Sequence, residues 1–125
     1  MDQLTNKAIT LKKGPSGRAM AQPMEDSLLV AMAEHISMER FASAQYFSMS
    51  LWFAEREFRG FSKFFENESI EEQKHASKFC KYLINRGQSV ILEELPRPVQ
   101  KYSAPEEVVT ASFQMEADVT CSLQQ

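Results

Sequence analysis

Apolar positions recur at helical spacing in three stretches of the chain, and Gly or Pro punctuates the intervals between them. From about Glu25 to Glu57, Leu28, Met32, Ile36, Tyr46 and Phe53 follow one helical face, with Pro23 just ahead of the first turn. Gly60 is expected to break this helix. A second pattern then runs through Phe61, Phe65, Phe79 and Leu83 to Gly87, which stands where a left-handed C-terminal cap belongs. A link this short makes the two helices antiparallel neighbours.

Between Gly87 and Ser103 the chain holds Pro96 and Pro98 and no sustained period, so a connector of about 15 residues is predicted. Extended, it reaches about 50 Å, whereas a helix of about 27 residues is about 40 Å long. It can therefore run back along the whole bundle and deliver a third helix parallel to the second. That helix opens with Ser103-Ala-Pro-Glu106, a capping-box pattern with Pro in the first turn, and shows an apolar face of Val109, Phe113, Val119 and Leu123. The pattern is still in phase at Gln125. Residues 1–22, polar and marked by Gly14, Pro15 and Gly17, are expected to form a flexible extension; Asp2 and the shortage of Ser and Arg argue against a transit peptide.

Composition narrows the partners. The chain has 125 residues, 43% hydrophobic and 25% charged, the profile of one globular domain. Fourteen Lys and Arg against seventeen Asp and Glu give a net charge of -3, without the basic block that nucleic acid binding requires. Apolar stretches fall short of a bilayer span and no secretory leader is seen, so a soluble, cytoplasmic protein is expected, with no membrane or nucleic acid partner. Cys80 and Cys121 lack metal-ligand spacing and are expected to be reduced and structural.

The candidate chemistry lies in where carboxylates fall. Steps of three and four along the first helix give Met32, Ile36, Glu39, Ser43, Tyr46, Ser50 and Phe53. The second gives Phe61, Phe65, Glu68, Glu72, His75, Phe79 and Leu83, and the third Val109, Ser112, Glu116, Val119 and Leu123. Each helix thus places an acid on the face that should be dry. Burying unpaired carboxylates costs several kcal/mol each, and clustered acids repel. Paired Arg or Lys would offset this, but Arg40, Lys63, Lys74 and Lys78 fall off the stripes. Shared protons could neutralise one or two acids. Bound cations supply the missing charge directly.

Glu72 and His75 form Glu-x-x-His, whose spacing puts carboxylate and imidazole one turn apart on one face. Alone the motif is weak, since such pairs often decorate solvated helices. Inside an aromatic stripe, with Glu39 and Glu116 on the partner stripes, it becomes specific. Oxygen-rich ligation with one imidazole suits iron or manganese better than structural zinc, and a bridging carboxylate implies a dinuclear centre. Glu68, one turn before Glu72, is expected in a supporting or partly solvated role. His35, four residues before Glu39, is expected as an edge histidine bonded to a neighbouring helix rather than a ligand. Trp52, Phe61, Phe64 and Phe65 are expected in the core or in subunit contacts.

From about Gly14 onward, "GPSGRAM", "HISMERFASAQYFSMSLWF", "ESIEEQKHASKF", "RGQS" and "FQMEADVTCSLQQ" resemble the ferritins, the cyanobacterial ones above all. The ligand pattern is the one already described for ferritin-like di-iron bundles. The resemblance implies an all-α, ferritin-like four-helix bundle over residues 23–125, incomplete here, with helices A and B and the start of C. It implies that Glu39 is a terminal ligand of one iron, His75 its imidazole ligand, Glu72 the bridge and Glu116 a ligand of the second iron. Tyr46 resembles the tyrosine beside the centre, and Glu71 an acid facing a cage interior.

Iron storage with ferroxidase activity follows as the implied function, using ferrous iron and dioxygen or peroxide in a homo-oligomeric cage, a 24-mer at full length. Ferritins carry a fourth long helix that completes the second iron site, and the sequence shows none. The resemblance therefore implies a piece of a longer ferritin, or a chain that pairs with another to finish its core. Two other readings stay open: a short di-iron ferroxidase or peroxidase completed by dimerisation, and a metal-free helical module.

Overall fold

The computed structural model describes residues 24–123; Pro23 and the expected N-terminal extension lie outside the described residues. Three helices follow in order: α1 (Asp26–Glu55), α2 (Arg59–Asn85) and α3 (Pro105–Leu123). The expected all-α organisation is what the described residues show. None of these helices is long and apolar enough to cross a membrane.

The reversal between α1 and α2 does not use the glycine that the sequence pointed to. Glu57 takes a left-handed φ of 67°, its N–H donates to Ala54 O, and Phe58 N–H donates to Phe53 O. This pair of bonds satisfies the last carbonyls of α1 in a Schellman motif. Gly60 instead lies in the first turn of α2, where a Cβ would meet nothing within 4 Å. Aromatic packing holds the corner: Phe53 stacks on Phe61 with ring centroids 5.0 Å apart and meets Phe58 edge-on at 5.8 Å. Gly87 ends α2 in the same way, at φ 83°, with Gln88 N–H donating to Leu83 O, as expected of a C-cap.

The helices are antiparallel. Ser62 Oγ donates to Ser50 O, and one end further on Ser43 and Ser69 each donate a hydroxyl to the other's carbonyl. Two serines at one level let the backbones approach closely. The connector after Gly87 then runs beside α1 in the direction of α1 itself. Arg40 donates to Glu93 O, and the Gln45 side-chain amide both donates to Val99 O and accepts Val99 N–H. Ser48 Oγ also donates to Val99 O, and Tyr102 meets Trp52 edge-on at 6.2 Å. So α3 starts beside the C-terminal end of α1 and runs parallel to α2. Its first turn is closed by Ser103, whose N–H and Oγ donate to Glu107. The capping partner is thus Glu107 rather than Glu106, and these bonds hold the Glu107 carboxyl below the usual range.

The core centres on Tyr46, Met49, Trp52, Phe53, Phe65 and Val108, with Tyr102, Ala111 and Met115 against it. Two predicted stripes are met in part: Ser112 and Val119 on α3, and Phe65, Glu72 and Leu83 on α2, are buried as expected, whereas Val108, Ser69 and Ala76 are buried in place of Val109, Glu68 and His75. On α3 the buried line is Val108, Ser112 and Val119, while Phe113 is 72% exposed and Leu123 also faces out. On α2 the buried line is Phe65, Ser69, Glu72, Ala76 and Leu83, with Phe61 half open and Phe64 exposed. The cause is common to both. Each of these helices packs chiefly on α1, which selects a narrower strip than the apolar residues could cover. Leu28, near the start of α1, is exposed as well. Cys80 is half-buried and Cys121 exposed, both as free thiols, and burial pushes the Cys80 thiol up.

Glu57→Gly relieves the left-handed side chain, and Gly60→Ala fills open space in a helix; each should stabilise the chain by about 0.5–1 kcal/mol. Gly87→Ala should destabilise it by about 1 kcal/mol. Thermal melts followed by circular dichroism check all three.

Candidate metal centre

About one turn beyond the Ser43–Ser69 contact, Glu39 of α1 and Glu72 of α2 meet. They are 2% and 5% exposed. Antiparallel packing puts them at one level, and the serine pair keeps the two backbones close there. His75, one turn after Glu72, brings Nδ1 to 3.6 Å from Glu39 Oε1 and 3.6 Å from Glu72 Oε1. Ligand atoms of these three residues all lie within 4.8 Å of one another.

As carboxylates, Glu39 and Glu72 each leave Oε1 without a hydrogen-bond partner. Burial first, then a hydrogen bond to the Glu39 carboxyl and its charge, and then the charges of Glu116 and Glu68, push the Glu72 carboxyl up to about 9. Near neutral pH the metal-free pair therefore keeps a proton. Among the described residues the nearby basic side chains are engaged elsewhere: Lys74 pairs with Glu71 at 3.4 Å, Lys63 with Glu66 at 3.8 Å, and Arg40 reaches the connector. Two buried oxygens lacking donors, beside an imidazole, fit a cation that prefers oxygen with some nitrogen.

Glu116 is half-buried on α3 and accepts a hydrogen bond from the Tyr46 hydroxyl. Burial, and next that bond, push the Tyr46 hydroxyl well above its usual range, so it remains a protonated donor. Of the sequence candidates, the structure brings Glu39, Glu72 and His75 into one group. Glu116 and Tyr46 stand beside it as a bonded pair, outside that group. Glu68 lies at the edge, half-buried, its carboxyl pushed up by burial and then by Glu116 and Glu71. Glu71 is exposed and belongs to the Lys74 ion pair. The side chain of His75 is 47% exposed, so the group has an open side.

His35 is placed as expected, bonded to a neighbouring helix, yet it does more than fill an edge. Nε2 lies 2.8 Å from Glu39 Oε2 and Nδ1 lies 3.0 Å from Ser122 Oγ. The i, i+4 spacing from His35 to Glu39 was visible in the sequence. Ser122, by contrast, carried no signal, because its role depends on where α3 lands.

A family model for the ferritin-like domain matches residues 29–125. The chain belongs to the ferritin family. The bacterial non-heme ferritin of Staphylococcus epidermidis is 30% identical over 97 residues, covering 78% of this chain and 58% of that protein. Soma ferritin of Lymnaea stagnalis is 35% identical over 91 residues, covering 70% and 52%. Two crystal structures of PmFTN variants soaked in iron superpose with TM-scores of 0.77 and 0.75, at 28% and 30% identity. They cover 80% and 78% of this ferritin chain and 64% and 63% of theirs. The chain thus spans between about half and two thirds of the length of these relatives.

The raised Glu72 carboxyl fixes a sign. The folded metal-free chain binds a proton that the unfolded chain releases at ordinary carboxylate pH, so stability should fall as pH rises toward about 9. Glu72→Gln removes most of that slope and should stabilise the metal-free chain near pH 8 by about 1–3 kcal/mol. Urea melts between pH 5 and 9 check this. Uptake of a divalent ion at pH 7 should release a proton, seen by calorimetry as a heat that depends on the buffer's ionisation enthalpy.

Proposed function

We propose that this chain carries an iron-oxidising site of the ferritin kind, with ferrous iron as substrate and dioxygen or peroxide as oxidant. The supporting observation is the buried Glu39–Glu72 pair, whose unpartnered oxygens and nearby His75 form a hard-ligand group with no Lys or Arg ion pair to these acids among the described residues. Glu39 and His75 hold one iron, and Glu72 bridges to a second, which Glu116 also binds. Tyr46 orients Glu116 through its hydroxyl and serves as an electron donor to the centre. Glu68 and Glu71 serve entry or onward transfer.

Carboxylate ligation stabilises ferric over ferrous iron and so lowers the potential of the pair. Two ferrous ions give one electron each; dioxygen with two protons then becomes hydrogen peroxide. Ferric product passes to a mineral store inside a homo-oligomeric cage in the cytoplasm. The names of the relatives, bacterial non-heme ferritin and soma ferritin, support the storage reading. A second reading keeps the chemistry without the cage: another copy completes the bundle, a view favoured by the exposed Phe64 and Phe113. Mass measured across micromolar concentrations separates dimer from cage.

Anaerobic loading with ferrous iron followed by oxygen tests the site. Glu72→Ala should slow ferric formation by about 10–100-fold or more, and Glu71→Ala by no more than about twofold. Equal losses at both positions would overturn the assignment of Glu72 as the bridge.

A further inference from the structure

His35 is buried, 4% exposed, and held from three helices at once. It stands on α1 one turn before Glu39. Phe79 of α2 meets its ring edge-on, with centroids 4.8 Å apart and planes at 71°. Ser122 of α3 reaches Nδ1 at 3.0 Å, and Nε2 faces Glu39 Oε2 at 2.8 Å. The tautomer assigned from these partners satisfies every polar atom: Nε2–H donates to the carboxylate, and Nδ1 accepts the Ser122 hydroxyl proton.

The consequence falls on the two oxygens of Glu39. Oε2 is taken by His35, whereas Oε1 has no hydrogen-bond partner and lies on the side of His75 and Glu72. Carboxylates that bind metals depend on such outer partners for their orientation, and losing one costs about 10–100-fold in metal affinity or activity. We propose that His35 is a positioning residue: it pins Oε2, presents Oε1 alone to the metal, and so makes Glu39 a one-oxygen ligand. Through Ser122, the same ring ties the orientation of an α1 ligand to the seating of α3. This inference rests on the metal-binding reading of Glu39 proposed above.

Co²⁺ titration of the whole chain tests it, because cobalt does not turn over in air and its visible bands report ligand number and geometry. His35→Phe keeps the ring volume and the contact with Phe79 but loses the N–H. His35→Gln restores an N–H donor at nearly the same reach. His35→Phe should weaken Co²⁺ binding by about 10–100-fold and shift the visible bands as Oε2 becomes free to bind, while His35→Gln should recover the parent spectrum and most of the affinity. Ser122→Ala, which frees the ring without emptying the core, should weaken binding by a smaller factor.

A parent chain that binds Co²⁺ no better than His35→Phe, or with the same spectrum, overturns the inference alone. Equal losses in His35→Phe and His35→Gln do the same, since ring packing and not the donated proton would then matter. Should His35→Phe fail to fold, His35→Ala held folded by added osmolyte takes its place: lost affinity there with parent-like binding in His35→Gln supports the donor role, and retained affinity overturns it. A parent chain that takes up no Co²⁺ overturns the proposed site and this inference together.

Discussion

Two carboxylates facing each other in a dry seam set the terms for the rest of this structure. Glu39 and Glu72 would destabilise the fold as a bare pair of charges, and a proton shared by the pair lessens that cost when no metal is bound. The neighbourhood is arranged to hold them there nonetheless. Paired serines close the helices beside them, an aromatic cluster seals the adjacent end of the seam, and Lys63 and Lys74 of α2 pair with acids on its solvent side. A protein selected for stability alone would place Leu at both positions. Retention of acids at that depth is intelligible when a cation is the expected guest.

Helix α1 carries most of the organisation. It is buried on two sides rather than one: Glu39, Tyr46 and Phe53 meet α2, and Gln45, Ser48 and Trp52 meet the connector. The sequence walk along α1 found the first line in full because its period is unbroken from Ile36 to Phe53. The second line was not legible as a stripe, since Gln45 and Ser48 are polar and are buried only because the connector brings its own backbone groups to meet them. A polar residue facing a loop looks the same in sequence as one facing water.

The same logic separates what was readable in the site from what was not. Glu-x-x-His and the acid at Glu39 follow from spacing along single helices, and the link between α1 and α2 was short enough to fix their pairing. The turn itself was misplaced, because glycine is only the commonest residue at a left-handed position, and here Glu57 takes it while Gly60 goes into the helix. On α3 the ambiguity between Val108 and Val109, adjacent valines of equal apolarity, left the phase open by one residue. Contact with α1 decides it, and with it the exposure of Phe113.

The side chain of Gln45 grips the Val99 peptide from both sides, accepting its N–H and donating to its carbonyl, as a neighbouring strand would. A crossover of this length has slack, and slack along the helix axis would let α3 slide by a turn, about 5.4 Å. Clamping one peptide near its far end removes that freedom just before α3 begins. The spacing from Val99 to Glu116 then works as a measured tether, delivering the acid level with Tyr46 and Ser122 level with His35. An amide on one helix thereby sets the register of an acid on another, at a distance, with no direct bond between them.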